Sequence, residues 1–177
     1  MRNIYSNSNN FDAIVVGSGI SGGWAAKELA EKGLKVALIE RGKNTIHGKD
    51  YLGEGKAPWD LPYHGKIPED TLNNEYFIQQ QNYALNQSTK HFFVSDKENP
   101  YKTEKDKPFS WIRGYQLGGR SLLWYRQSYR WCEMDFAANK IDGNGVDWPI
   151  RYKDIAPWYD YVETFAGISG SKEGLPQ

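Results

Sequence analysis

A chain of 177 residues is long enough for one domain with a real core, and its 22 basic and 22 acidic side chains cancel, which leaves no long-range field to attract nucleic acid or an anionic membrane. The single cysteine, Cys132, excludes an internal disulfide and a Cys-rich metal centre. No stretch approaches the roughly 20 apolar residues that span a bilayer, and the Asn/Ser-rich residues 1–10 lack the apolar run of a secretory signal.

Those first ten residues read as a disordered start and the chain as cytoplasmic, although a partner subunit could carry it elsewhere. Order begins with the apolar, partly β-branched run Ala13-Ile14-Val15-Val16, a short strand of the kind buried in a parallel sheet. A Gly-rich turn follows. Residues 24–32 are good helix formers throughout, and Gly33 is placed to end them. Val36-Ala37-Leu38-Ile39 then reads as a second strand, parallel to the first through a right-handed crossover. Residues 11–44 thus form one βαβ unit, the start of an α/β fold of Rossmann type that is incomplete here.

Periodicity fades over residues 45–108, where Gly, Pro, Asn and Asp interrupt short aromatic stretches. An excursion of that length is normally functional or packed on something else, and it reads as a segment that covers a cofactor or contacts a second domain, with residues 97–107 as its mobile surface part. Residues 109–177 hold a Gly-Gly pair in an aromatic setting, a turn at Asp142-Gly143-Asn144-Gly145, and an amphipathic helix over residues 152–165. Ile155, Trp158, Tyr159, Val162 and Phe165 form the apolar stripe of that helix, with Pro157 near its first turn, where proline costs little.

Gly17-Ser18-Gly19-Ile20-Ser21-Gly22 is a GxGxxG between a strand and a helix. Gly17 permits the tight turn, Gly19 lets the backbone approach a diphosphate, and Gly22 lets helix and strand pack closely. The helix start adds free N–H groups and partial positive charge. Glu40, about 20 residues on at the end of the second strand, is the acid that accepts hydrogen bonds from a ribose, which favours FAD or NAD over NADP. Arg41 either stacks on the adenine or is solvated.

The fingerprint does not choose between FAD and NAD. The segment Arg113-Gly114-Tyr115-Gln116-Leu117-Gly118-Gly119-Arg120-Ser121-Leu122-Leu123-Trp124 resembles the second flavin-contacting stretch of the glucose-methanol-choline oxidoreductases, a Leu-Gly-Gly followed by a Ser/Thr-containing turn. Paired glycines expose backbone amides to phosphate or flavin oxygens, and Ser121 adds a small hydroxyl donor. Asp147-Trp148-Pro149-Ile150 and Ala156-Pro157-Trp158-Tyr159 are similar to that family's Trp-Pro turn and aromatic helix. Pro58-Trp59-Asp60-Leu61-Pro62 and Arg126-Gln127-Ser128-Tyr129-Arg130-Trp131 resemble its branch acting on sugars and sugar acids.

The resemblance implies an FAD-dependent oxidation of a CH–OH group by hydride transfer to flavin N5, with a companion electron-transfer or export subunit. It places Gly17, Ser18, Gly19, Ile20, Ser21, Gly22, Glu40, Arg41, Arg113, Leu117, Gly118, Gly119, Ser121 and Leu122 at the cofactor. Leu123 stands where some relatives carry a histidine linked to FAD, so the flavin is expected to be non-covalent. The family's catalytic base, a histidine paired with His or Asn, lies beyond Gln177. His47, His64 and His91 match no catalytic position and read as surface or packing residues. On this reading the chain is one part of an enzyme. An NAD-binding protein and a non-catalytic FAD-binding remnant stay open beside it.

Overall fold

The computed structural model describes residues 10–171 and residue 174. The expectation of a disordered start falls almost wholly outside them. Described residues up to Trp124 form one compact unit, and those from Tyr125 on form another.

The first unit opens with strand β1, Ala13–Val16, helix α1, Ile20–Glu31, and strand β2, Val36–Ile39. The strands are parallel, with Ala13 opposite Val36 and Val16 opposite Ile39. Asp12 fixes the register at the near end, where its carboxylate accepts the Lys35 N–H at 2.8 Å. Gly17 N–H donates to Ile39 O at 2.7 Å and closes the far end. Helix α1 stops because Gly33 turns left-handed at φ +85°, with its N–H on Ala30 O and the Leu34 N–H on Leu29 O. Both strands and the crossover lie where the sequence puts them; the helix begins four residues earlier, at the glycine motif itself.

Ala13 and Val15 are partly buried, while Ile14 and Val16 are 64% and 81% exposed. Alternation is what a strand with one covered face requires. The parallel sheet buried on both faces is therefore not complete within this unit.

The buried core lies elsewhere, inside the stretch read from sequence as irregular cover. Ala84, Phe92 and Phe93 are buried together, and Tyr51, Tyr76, Leu85, Ile112, Leu122 and Leu123 pack around them. Short 3-10 turns at Pro58–Asp60, Pro62–Gly65, Gln79–Gln81 and Lys90–Phe92, with helix α2 at Glu69–Glu75, give this region its shape. Such turns leave no period for a sequence pattern to report. Residues 97–107 are mostly exposed, but the Tyr101 hydroxyl accepts the Trp111 N–H at 2.7 Å and ties their middle down.

In the second unit, α3, Glu133–Asp142, meets α4, Tyr152–Ala166, where the Glu133 carboxylate accepts the Tyr152 N–H at 3.0 Å. Arg130, ahead of α3, holds Glu163, Asp160 and the Tyr152 hydroxyl of α4. Helix α3 escaped the sequence reading. It carries Asp142 as its last residue, so the turn at Gly143, φ +70°, is its stop. Helix α4 matches the expected span, with two corrections. Trp158 and Phe165 are exposed rather than part of the covered stripe. Pro157 is the sixth residue, past the first turn, where its missing N–H leaves the preceding turn one hydrogen bond short.

Candidate cofactor site

The site begins at the turn between β1 and α1. Gly17 takes φ +94°, a left-handed conformation that glycine adopts without strain. A Cβ on Gly22 would lie 1.9 Å from the Gly17 carbonyl oxygen, so strand and helix can approach this closely only across a bare Cα. Gly19 differs. Its φ of −63° suits any residue, and no protein atom lies within 4 Å of where its Cβ would be. The protein itself does not need a glycine there; a group arriving from outside would.

Beside this turn lies the second glycine motif. A Cβ on Gly119 would come 3.4 Å from the Gly19 Cα, and the Gly118 N–H donates to the Ser18 hydroxyl at 2.9 Å. Gly118, at φ +87°, precedes the 3-10 turn Gly119–Leu123. Three residues per turn set Ser121 and Trp124 on one side of that turn. Together with Arg120 they face Gly17, Gly19, Ile20, Ser21 and Gly22 across a cavity of about 380 Å³, whose floor includes Val16.

The strand β2 exit completes the frame. Lys43 pairs with Gln116 as an isolated parallel bridge, and a Cβ on Gly42 would lie 2.2 Å from Gln116 N. The Glu40 carboxylate accepts from Ser18 N–H at 2.8 Å, the Ser18 hydroxyl at 2.6 Å and Gly42 N–H at 2.7 Å. The Ser18 hydroxyl, followed by the Ser18 and Gly42 N–H groups, lowers the Glu40 pKa to about 2 against a small opposing effect of burial. The Arg41 N–H adds to that lowering.

That pKa fixes the sign of a pH effect. Because the folded value is depressed, the stabilisation is full above the ordinary carboxylate range and is lost as pH falls from there towards about 2. Glu40→Gln is expected to lower stability by about 1 kcal/mol at neutral pH, after allowance for solvent screening. The difference from wild type should shrink on acidification, which urea melts across pH 7 to 2.5 would record. A gap that stays constant over that range would contradict the assignment.

Of the residues singled out in the sequence, Gly17, Gly19, Ile20, Ser21, Gly22 and Ser121 line the cavity, and Ser18, Gly118, Gly119 and Glu40 hold its frame. Others lie apart from the lining. Arg41 sits over the Tyr115 ring, 3.7 Å from its centre. Leu117 is exposed, with its N–H on Lys43 O, and Leu122 packs on the core. Arg113 is 4% exposed, and its guanidinium donates to the Tyr115 hydroxyl and to Asn99 O. The Ser121 hydroxyl donates to Gly118 O at 2.5 Å, so its proton serves the turn and its oxygen is left to accept.

Sequence reasoning missed Arg120, Trp124 and Val16 as lining residues, although the first two belong to the Gly-Gly motif itself. Arg120 lies 5.5 Å from the Phe93 ring centre, and partial burial lowers its pKa. No carboxylate pairs with it among the described residues. A cation without a counter-ion, facing a helix amino terminus across an open glycine, makes a cradle suited to a diphosphate. His91 packs between Tyr51 and Phe92, and burial lowers its pKa; His47 meets Glu54.

Comparison with known proteins bears on the first of the two glycine turns. Residues 12–48 match the family described as FAD binding domain. The chain is 26% identical to paromamine 6'-oxidase of Streptomyces fradiae over 93% of its length, covering 24% of that protein. It is 28% identical to the gluconate 2-dehydrogenase flavoprotein of Pantoea cypripedii over 90% of its length, covering 26% of that protein. To the fructose dehydrogenase large subunit of Gluconobacter japonicus it is 24% identical over 90%, covering 27%. The chain spans about a quarter of the length of the relatives it matches. Residues 12–48 match the FAD binding domain family and form a Rossmann-type βαβ start, in a chain similar at low identity to proteins named as an oxidase, a dehydrogenase flavoprotein and a dehydrogenase large subunit.

Proposed function

We propose that this chain is the FAD-holding part of a flavoprotein dehydrogenase that oxidises a CH–OH group of a sugar or sugar acid. One observation carries the reading: two glycine turns about 100 residues apart in sequence meet across a single cavity that also receives a helix amino terminus and an arginine. The backbone at Gly17, Gly19 and α1 holds the diphosphate, and Arg120 balances its charge. Glu40, beside the turn, accepts a hydroxyl of the adenosine ribose. FAD, when bound, supplies the hydride acceptor. Ser121 and Trp124 wall the cavity and limit water. The sugar substrate rests on the relatives named for gluconate and fructose, and a companion subunit rests on one of them being a large subunit.

No helix among the described residues is long and apolar enough to cross a membrane.

The test is uptake of flavin by the purified full chain. FAD should give a two-band visible spectrum, acid denaturation should release free flavin, and NAD should not compete. Arg120→Ala is expected to weaken FAD binding about tenfold or more. A chain that takes up NAD and not FAD would overturn the reading.

A further inference from the structure

We propose that Ser18 is a positioning residue whose hydroxyl sets the register between the two glycine turns, under the direction of the Glu40 charge. The inference deepens the FAD reading and rests on it for its consequence at the cofactor.

The chemistry of the three groups fixes which way the hydrogen bonds run. An ionised carboxylate only accepts, so the Ser18 proton points at Glu40, 2.6 Å away. The lone pairs of Ser18 then face outward, and the Gly118 N–H donates to them at 2.9 Å. The same carboxylate oxygen also holds the Ser18 N–H at 2.8 Å, so neither the side chain nor the backbone of Ser18 is free to turn. Its second oxygen holds Gly42 N–H at 2.7 Å, at the exit of β2. One hydroxyl therefore joins three segments: the β1–α1 turn, the end of β2, and the loop that enters the second glycine motif.

What hangs on Gly118 gives the arrangement its use. Gly118 precedes the 3-10 turn that brings Arg120, Ser121 and Trp124 into the cavity. A hydroxyl that holds Gly118 thus holds the far wall in place against the near one. Alanine at position 18 keeps the turn but removes the link. Threonine keeps both, with one extra methyl.

The charge at position 40 is equally specific. A glutamine there has one oxygen in place of two: turned to Gly42 it sets an N–H against Ser18, and turned to Ser18 it accepts without a charge, so in either case the hydroxyl is held less firmly. Removing the charge should therefore loosen Gly118 without removing any atom from Ser18.

Amide hydrogen exchange of the full chain, resolved by residue and without added flavin, reads the link directly. In S18A the Gly118 amide is expected to exchange about tenfold faster while α1 amides keep their wild-type protection. S18T should restore Gly118. FAD affinity, measured by flavin fluorescence, should fall about tenfold in S18A and return to within about threefold in S18T. Equal exchange at Gly118 in S18A and wild type overturns the proposal, as does S18T behaving like S18A. A uniform rise across the first unit also overturns it, because general loosening is not a link. Should S18A fail to fold, E40Q decides by the same exchange reading, with an unchanged Gly118 amide as the refuting result. If wild-type protein takes up no FAD, the FAD reading fails, and the exchange arm still decides the role of Ser18.

Discussion

Gly22→Ala is expected to abolish FAD uptake and destabilise the chain by about 3 kcal/mol or more, while Gly23→Ala, one residue away, leaves uptake intact and raises stability slightly. The two glycines are neighbours in the same helix and have opposite surroundings. A methyl at position 22 meets the Gly17 carbonyl carbon at 3.0 Å and its oxygen at 1.9 Å, both backbone atoms of the turn that lines the cavity. Relief requires helix α1 to shift away from Val15, also within reach of that methyl, or Gly17 to rotate, and each opens the cradle. At position 23 nothing lies within 4 Å, so alanine there gains helix propensity of about 1 kcal/mol without contact. Chemical denaturation and flavin titration of both variants would test the pair. A Gly22→Ala protein as stable and as yellow as Gly23→Ala would remove the geometric basis for the site.

Asp96→Ala is expected to cost about 3–5 kcal/mol, the usual consequence of stripping one partner from a buried charged cluster. Asp96 is 1% exposed and Gln79 0%. One carboxylate oxygen accepts the Ile78 and Gln79 N–H groups at 2.8 and 3.1 Å, and the other accepts the Gln79 side-chain amide at 2.7 Å. Arg113 stands 3.8 Å away. Without the carboxylate, the Ile78 and Gln79 N–H groups and one N–H of the Gln79 side chain lose their acceptor, the other staying on Trp111 O, and the guanidinium loses its counter-charge. The effect should reach the cofactor site. The Gln79 side-chain oxygen Oε1 accepts the Arg113 N–H at 2.8 Å, and the chain from Arg113 runs through the bridge between Gln116 and Lys43 to Gly118. FAD affinity is therefore expected to fall together with stability. Asp96→Asn, which keeps one acceptor oxygen, should lose about half as much. Urea unfolding would settle the order, and a loss below about 1 kcal/mol for alanine would show that the cluster is not an anchor.

The buried network also explains why Arg113 looks like a cofactor residue in sequence and is placed otherwise. It stands five residues before the paired glycines, at a distance where a guanidinium could reach a phosphate. In the fold, its backbone is tied to Gln79 and its side chain lies among Tyr101, Trp111 and Tyr115. Arg120 shows the opposite outcome, since nothing but its place after two glycines marked it, and it faces the cavity.

The amino-acid sequence alone determined the parts whose cause is local. Both strands, their parallel order, the glycine turn and Gly33 as the helix stop follow from apolar runs, helix formers and the conformational freedom of glycine, all acting within a few residues. A dinucleotide was legible because those parts stand in a fixed order at fixed spacing, and the choice of FAD rested on the resemblance of residues 113–124 to a flavin-contacting segment. The tertiary structure alone decided what depends on residues far apart. It buried Gln79, Asp96 and Arg113 together, put the core around Phe92 and Phe93 inside a stretch without period, and closed the Glu40–Ser18–Gly118 link across 22 and 100 residues. Polar side chains carry no sign in sequence of whether they will meet partners or water, because burial is a property of what packs against them.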